Sequence, residues 1–163
     1  VTDNDGVQTG THRTWLDPSG GMKAMLASPR RAMGNILGNA VRFGHADDVM
    51  IAGEGIETML SLREILPTMP MAAATSSAHL AAIMFPPTLQ RLYVARDRDA
   101  AGDAAFGILT DRAQAAGIEL MSLMPELGDF NDDLREHDAS VLGQQVCLLL
   151  HEHDRTRFFN DTG

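Results

Sequence analysis

From residue 46 onward, short apolar runs alternate with helical stretches, and this limits the fold more than any other feature of the chain. Val49-Met50-Ile51-Ala52, residues 71–74, Leu92-Tyr93-Val94-Ala95 and residues 118–123 are apolar runs of strand length. Between them lie stretches with helical spacing. Residues 57–66 carry Met59, Leu60, Leu62, Ile65 and Leu66 on one face and stop at Pro67. Residues 78–84 form the next stretch, stopped by Pro86-Pro87, and residues 101–116 a third, closed by Gly117. Residues 132–136 and 141–150 read as further helices. Strands that alternate with helices specify an α/β fold: about four mainly parallel strands with helices on both faces. In such sheets ligands bind beyond the C-terminal ends of the strands, so the residues following each strand carry the functional information.

The first 45 residues lack this alternation. Residues 7–16, rich in Thr and aromatic side chains, read as a strand or hairpin, and Asp17-Pro18-Ser19-Gly20-Gly21 as a turn. Residues 29–40 read as irregular or weakly helical, and Val41-Arg42-Phe43 as a short strand. The expected organisation is a small β-rich extension over 1–45, the main domain over 46–150, and a polar, frayed tail over 151–163.

Charge is divided unevenly. The 163 residues carry a net charge of −9. Residues 1–45 hold Arg13, Lys23, Arg30, Arg31 and Arg42 against Asp3, Asp5 and Asp17, so this segment is positive. The acidic remainder is unsuited to general phosphate binding, which rests on Lys and Arg, but suits a cation if its acids converge. The single cysteine, Cys147, excludes an internal disulfide framework and a cysteine-based zinc site; within Val146-Cys147-Leu148-Leu149-Leu150 it reads as a buried small hydrophobe. No apolar run reaches membrane-spanning length and no signal peptide is recognisable, so a soluble, cytoplasmic protein without membrane contact is expected. The first residue is Val rather than Met, as expected for a piece of a longer chain.

Three post-strand loops carry acids: Gly53-Glu54-Gly55-Ile56-Glu57-Thr58, Asp97-Arg98-Asp99-Ala100-Ala101-Gly102 and Gly128-Asp129-Phe130-Asn131-Asp132-Asp133. On extended backbone, Asp97 and Asp99 point to the same side and Arg98 away from it. Two carboxylates so placed repel unless a cation lies between them, and an all-oxygen donor set suits Mg²⁺ or Mn²⁺ rather than zinc. The competing role for Asp99 is to cap the helix that begins near Ala101, and both roles can coexist. Glu54 stands between two glycines that permit a sharp turn and close approach of a ligand. For Glu57, at a helix start, capping is an equal rival to a functional role.

Other motifs fail on inspection. Gly53-x-Gly55 lacks the third glycine of a dinucleotide fingerprint, since Thr58 stands there, and Glu54 would repel a pyrophosphate. Asp97-x-Asp99 does not continue as a calcium loop, since Ile108 occupies the position of the bidentate Glu. His151-x-His153 reads as a solvated pair and His79 as structural.

The two stretches Ile51-Ala52-Gly53-Glu54-Gly55-Ile56-Glu57-Thr58 and Ala95-Arg96-Asp97-Arg98-Asp99-Ala100-Ala101-Gly102 resemble the Toprim domain shared by bacterial-type primases, topoisomerases and certain nucleases. The resemblance is greatest to Toprim domains of plasmid- and phage-borne primase/helicase proteins, and it extends to the Thr11-His12-Arg13-Thr14-Trp15-Leu16-Asp17-Pro18 segment. It spans roughly residues 8–140 and implies a Rossmann-like Toprim fold. It further implies that Glu54 acts as general acid or base and helps hold metal, that Asp97 and Asp99 bind Mg²⁺ or Mn²⁺, and that Asp129 and Asp132 support the site.

The resulting expectation is an enzyme of DNA replication, encoded on a mobile element, that makes RNA primers on single-stranded DNA from nucleotides. Arg13, Lys23, Arg30, Arg31 and Arg42, with Gly55 and Arg98, are expected to contact nucleic acid or nucleotide. A helicase in the same or another chain is the expected partner. The alternatives are a metal-dependent nuclease using the same acids, and a non-catalytic nucleic-acid- or protein-binding module. A topoisomerase is disfavoured because the sole tyrosine, Tyr93, lies inside an apolar strand.

Overall fold

A computed structural model describes residues 1–19 and 24–159. Its elements are β1 (Gly10–Thr14), β2 (Arg30–Gly34), β3 (Val41–Phe43), β4 (Val49–Gly53), α1 (Ile56–Ile65), β5 (Met71–Ala73), α2 (Ser77–Ala81), β6 (Arg91–Ala95), α3 (Ala100–Ala116), β7 (Glu119–Leu123), α4 (Phe130–Glu136), α5 (Ala139–Leu149) and α6 (Glu152–Phe158). A five-stranded sheet runs in the order β3-β5-β4-β6-β7, and β1 pairs with β2 as a separate antiparallel ribbon. Strands β4, β5, β6 and β7 are parallel, while β3 joins β5 antiparallel, with Val41 opposite Ala73. The expected mainly parallel α/β sheet is therefore present.

Alternation along each central strand builds two cores, because successive side chains leave opposite faces. Val49 and Ile51 of β4, with Tyr93 and Ala95 of β6, meet Met59 and Leu62 of α1, Phe130 of α4, Leu142 and Val146 of α5 and Phe158 of α6. Met50, Ala52, Leu92 and Val94 face the other way, against Leu80 of α2 and Ala105, Leu109 and Ala113 of α3. All five β4 residues are buried, as a strand covered on both faces requires. Burial of each large side chain contributes about 1.5–3 kcal/mol relative to exposure.

Three features depart from expectation. Residues 30–34 form β2 rather than an irregular or weakly helical stretch; every residue of β2 is exposed, so no burial pattern marks it, and its partner β1 defines it. Val41–Phe43, grouped by sequence with the extension, is the edge strand of the main sheet. The segment after His151 is not frayed: Glu152–Phe158 is a helix docked on the sheet. The fully buried Asp154 carboxylate accepts hydrogen bonds from Arg91 Nη1 (2.7 Å) and the Tyr93 hydroxyl (2.7 Å), and Tyr93 in turn accepts from the His151 amide (2.9 Å). Desolvation, reinforced by Asp154, drives the Tyr93 pKa upward and keeps the phenol protonated. Cys147 is half-buried. Among the described residues no helix is long and apolar enough to cross a membrane.

Candidate active site

Parallel pairing puts the C-terminal ends of β4, β5, β6 and β7 along one edge: Gly53 lies opposite Ala73 and Ala95, and Ala95 opposite Leu123. The residues that follow these strands therefore gather there. Glu54 leaves β4, Thr75 lies just past β5, Asp97 and Asp99 follow β6, and Asp129 closes the loop after β7.

Each acid is placed by a local device. The Asp99 carboxylate caps α3, accepting from the Gly102 amide at 2.7 Å. Asp129 caps α4 in the same way, accepting from the Asp132 amide at 2.8 Å. Glu54 is half-buried and its carboxylate accepts a backbone hydrogen bond from Ser77. The first turn of α3 presses against Asp97: a Cβ on Gly102 would lie 2.7 Å from the Asp97 carbonyl oxygen, so only glycine permits this approach.

These carboxylates repel one another. Burial first, then Glu54, Asp129 and Asp99, raise the Asp97 pKa to about 6. Glu54 is raised by burial and by Asp99, against opposing effects from Arg30 and the Ser77 amide. Asp97 Oδ1 is buried and has no hydrogen-bond partner. Among the described residues no three His, Cys, Asp or Glu side chains stand close enough to enclose a metal ion without moving. The donor set nevertheless fits a hard cation. It consists of carboxylates alone, Asp97 offers an unpartnered oxygen, and the mutual repulsion is what a divalent ion would relieve.

The remaining sequence-selected residues divide into three groups. Gly55, Glu57 and Arg30 stand at the site. Arg30 comes from β2, ion-pairs with Glu57 at 2.8 Å, and lines a cavity of about 190 Å³ with His12, Thr14, Leu16, Glu54, Gly55, Ile56 and Thr75. Arg13 and Arg31 are cross-strand neighbours on the outer face of the ribbon, with Arg13 stacked 5.1 Å from the Trp15 ring. They are exposed beside the site rather than in it.

The others lie elsewhere. Asp132 is exposed and lines a separate depression with Leu127, Arg135 and Glu136; it is not among the acids that raise Asp97. Arg98 is held by the Pro125 carbonyl at 2.7 Å, where it braces the β7–α4 loop. Arg42 lines a cavity with Thr2, Asn4 and His45 beside the antiparallel edge strand, away from the acids. Lys23 lies outside the described residues.

Sequence reading passed over Thr75, Ser77 and Asp133. Asp133 is fully buried and accepts from the Glu126 (2.8 Å) and Leu127 (2.7 Å) amides, thereby shaping the loop that delivers Asp129. The second acid of Asn131-Asp132-Asp133, four residues after Asp129 and so on one helix face with it, was the available signal. Nothing local marks Thr75 or Ser77, because their proximity to Glu54 depends on the β4–β5 pairing.

Comparison with known proteins agrees with this architecture. The Toprim domain family matches residues 49–140, and a domain of unknown function matches residues 1–43. A search of curated proteins gave no match. Among solved structures, the chain is similar to the Aquifex aeolicus primase (zinc-binding and RNA polymerase domains), with TM-score 0.64 and 14% identity over 99% of this chain and 47% of that one. It is also similar to a DNA primase domain from Pseudomonas aeruginosa, with TM-score 0.60 and 14% identity over 90% of this chain and 48% of that one. The primase fragment of the bacteriophage T7 primase-helicase protein gives TM-score 0.53 and 18% identity over 89% of this chain and 60% of that fragment. The chain thus spans about half the length of the two bacterial chains in those structures, and at these identities the likeness is one of fold. With a family match over more than half of its residues, and the Toprim sheet carrying its acids at the expected edge, the chain belongs to the Toprim family.

Proposed function

We propose that this chain is the Toprim catalytic part of a DNA primase: it joins ribonucleotides on a single-stranded DNA template in a reaction that depends on Mg²⁺ or Mn²⁺. The observation that carries the reading is the state of Asp97, a carboxylate with a buried, unpartnered oxygen whose pKa is raised to about 6 by burial and by Glu54, Asp129 and Asp99. Like charges kept together against their repulsion mark functional sites more often than structural ones. The fold likeness to primase structures supports the same class.

In this reading Asp97 and Asp99 hold the cation, with Asp129 supplying further negative charge. When bound, the ion neutralises charge on the reacting phosphate. Glu54, its pKa raised above the usual carboxylate range, accepts the proton of the attacking 3′-hydroxyl; a positioned base typically contributes about 10²- to 10⁴-fold. The Ser77 amide fixes the Glu54 carboxylate without fully offsetting its burial. The outer arginines Arg13 and Arg31 meet template or nucleotide phosphates, with Trp15 offering a stacking surface for a base, while Arg30 stays paired with Glu57 beside Glu54. The cytoplasmic setting and a helicase partner belong to the same proposal.

The experiment is a primer-synthesis assay on single-stranded template with ribonucleotides and either Mg²⁺ or Mn²⁺, comparing wild type with Glu54→Gln and Asp97→Asn. Primers from the wild type, with loss of at least about 10²-fold in both variants and folding unchanged by circular dichroism, are expected. Shortened template in place of primers would identify a nuclease. Full activity in Asp97→Asn would overturn the assignment.

A further inference from the structure

Thr75 has φ of +73°, and it is the one non-glycine residue at positive φ among the described residues. A β-branched side chain is strongly disfavoured there, whereas glycine adopts the same backbone freely. The turn itself is well fixed. The Thr75 amide donates to the Glu54 carbonyl at 2.8 Å, Ser76 Oγ caps α2 by accepting from the His79 amide at 3.2 Å, and Ser77 donates to the Glu54 carboxylate. None of these hydrogen bonds uses the Thr75 side chain. Glycine would satisfy every backbone requirement at this position without strain, so the strained residue is retained for what its side chain does. Strain of this kind concentrates at ligand sites.

Thr75 lines the cavity of about 190 Å³ that also holds Glu54, Gly55, His12 and Arg30. The charges lining this cavity are Arg30 against Glu54 and Glu57, and Arg30 is already bound to Glu57 at 2.8 Å. His12 faces it from β1, with its pKa lowered by burial and by Arg30, so it adds no positive charge near neutral pH. A cavity so lined disfavours a phosphate and suits an uncharged, hydroxyl-bearing group flanked by apolar surface, here Leu16 and Ile56.

We infer that Thr75 is a substrate-contacting specificity residue whose Oγ1 hydrogen-bonds the sugar of a ribonucleotide seated beside Glu54. The inference rests on the Glu54 edge being a nucleotidyl-transfer site. It places the sugar, rather than the triphosphate, in the cavity under the β1–β2 ribbon, with the phosphates toward Asp97 and Asp99.

The test is equilibrium binding of ribonucleoside triphosphates, in the presence of Mg²⁺, to wild type, Thr75→Ser, Thr75→Val and Thr75→Gly. Thr75→Val keeps the shape and the strain but loses the hydroxyl, and should bind about fivefold to tenfold more weakly, the size of one hydrogen bond. Thr75→Ser should stay within about twofold of wild type, because the hydroxyl remains. Thr75→Gly should bind as weakly as Thr75→Val while unfolding at a temperature no lower than wild type. Unchanged affinity in Thr75→Val and Thr75→Gly would overturn the inference, as would a Thr75→Ser variant as weak as Thr75→Val, or no binding by wild type. The two readings fail separately. If Glu54→Gln abolishes primer synthesis and Thr75→Val binds normally, only the Thr75 contact is wrong. If Thr75→Val binds weakly and Glu54→Gln remains active, only the catalytic role of Glu54 is wrong.

Discussion

Replacing Asp97 by asparagine should stabilise the fold above neutral pH while it removes activity, and both effects follow from one charge. The Asp97 pKa rises from the usual 3.8 to about 6 in the folded chain. Between those values the folded state keeps a proton that the unfolded chain has released. Stability therefore falls as pH rises through this window and is lowest, as far as this group is concerned, above about pH 6. Fully expressed, the displacement corresponds to about 3 kcal/mol. Asp97 is partly exposed, and solvent screening reduces the figure to about 1–2 kcal/mol. Asparagine carries no charge, so Asp97→Asn should be more stable than wild type by about 1–2 kcal/mol near pH 8, and the difference should vanish near pH 4. Urea unfolding in EDTA, followed by circular dichroism across that range, measures it. Millimolar Mg²⁺ should then stabilise wild type and leave the variant unaffected, because a ligand stabilises only the state that binds it. A variant no more stable than wild type near pH 8, or a difference independent of pH, would refute the repulsion on which the site assignment stands.

Other perturbations have definite expected outcomes. Asp154→Ala leaves Arg91 and the buried Tyr93 hydroxyl without their shared acceptor; it should cost about 3–5 kcal/mol in urea unfolding, and a loss under about 1 kcal/mol would show that α6 is not anchored by this acid. Asp133→Ala removes the acceptor of two backbone amides and should cost about 2–4 kcal/mol while lowering activity through the displaced Asp129 loop; an unfolding midpoint equal to that of wild type would contradict it. Gly102→Ala brings a methyl group to 2.7 Å from the Asp97 carbonyl oxygen, so α3 must shift, with a loss of about 1–3 kcal/mol by thermal unfolding and a fall in activity larger than that of an exposed alanine substitution such as Gly107→Ala.

Local pattern alone supported the parallel sheet, the helices that cover it, and the placement of Glu54, Asp97, Asp99 and Asp129 just past strand ends. The reason is that strand and helix periodicities are written in neighbouring residues, and parallel strands of such a sheet bring their C-terminal ends to one edge. What depends on distant partners was not readable. The ribbon strand β2 has no burial pattern and exists only through its pairing with β1. Helix α6 looked like a polar tail because its anchor, Asp154, is a charged residue made burial-competent by Arg91 and Tyr93, some sixty positions earlier. Asp129 and Asp132 looked equivalent along the chain, but only Asp129, the N-cap of α4, bears on Asp97, while Asp132 is exposed beside another depression. Arg42, grouped by charge with Arg30, was carried to a different cavity by its place in the edge strand. Sequence fixes which side chains are available at the strand ends; the packing of distant segments decides which of them share a volume, how much water they keep, and therefore which can act together.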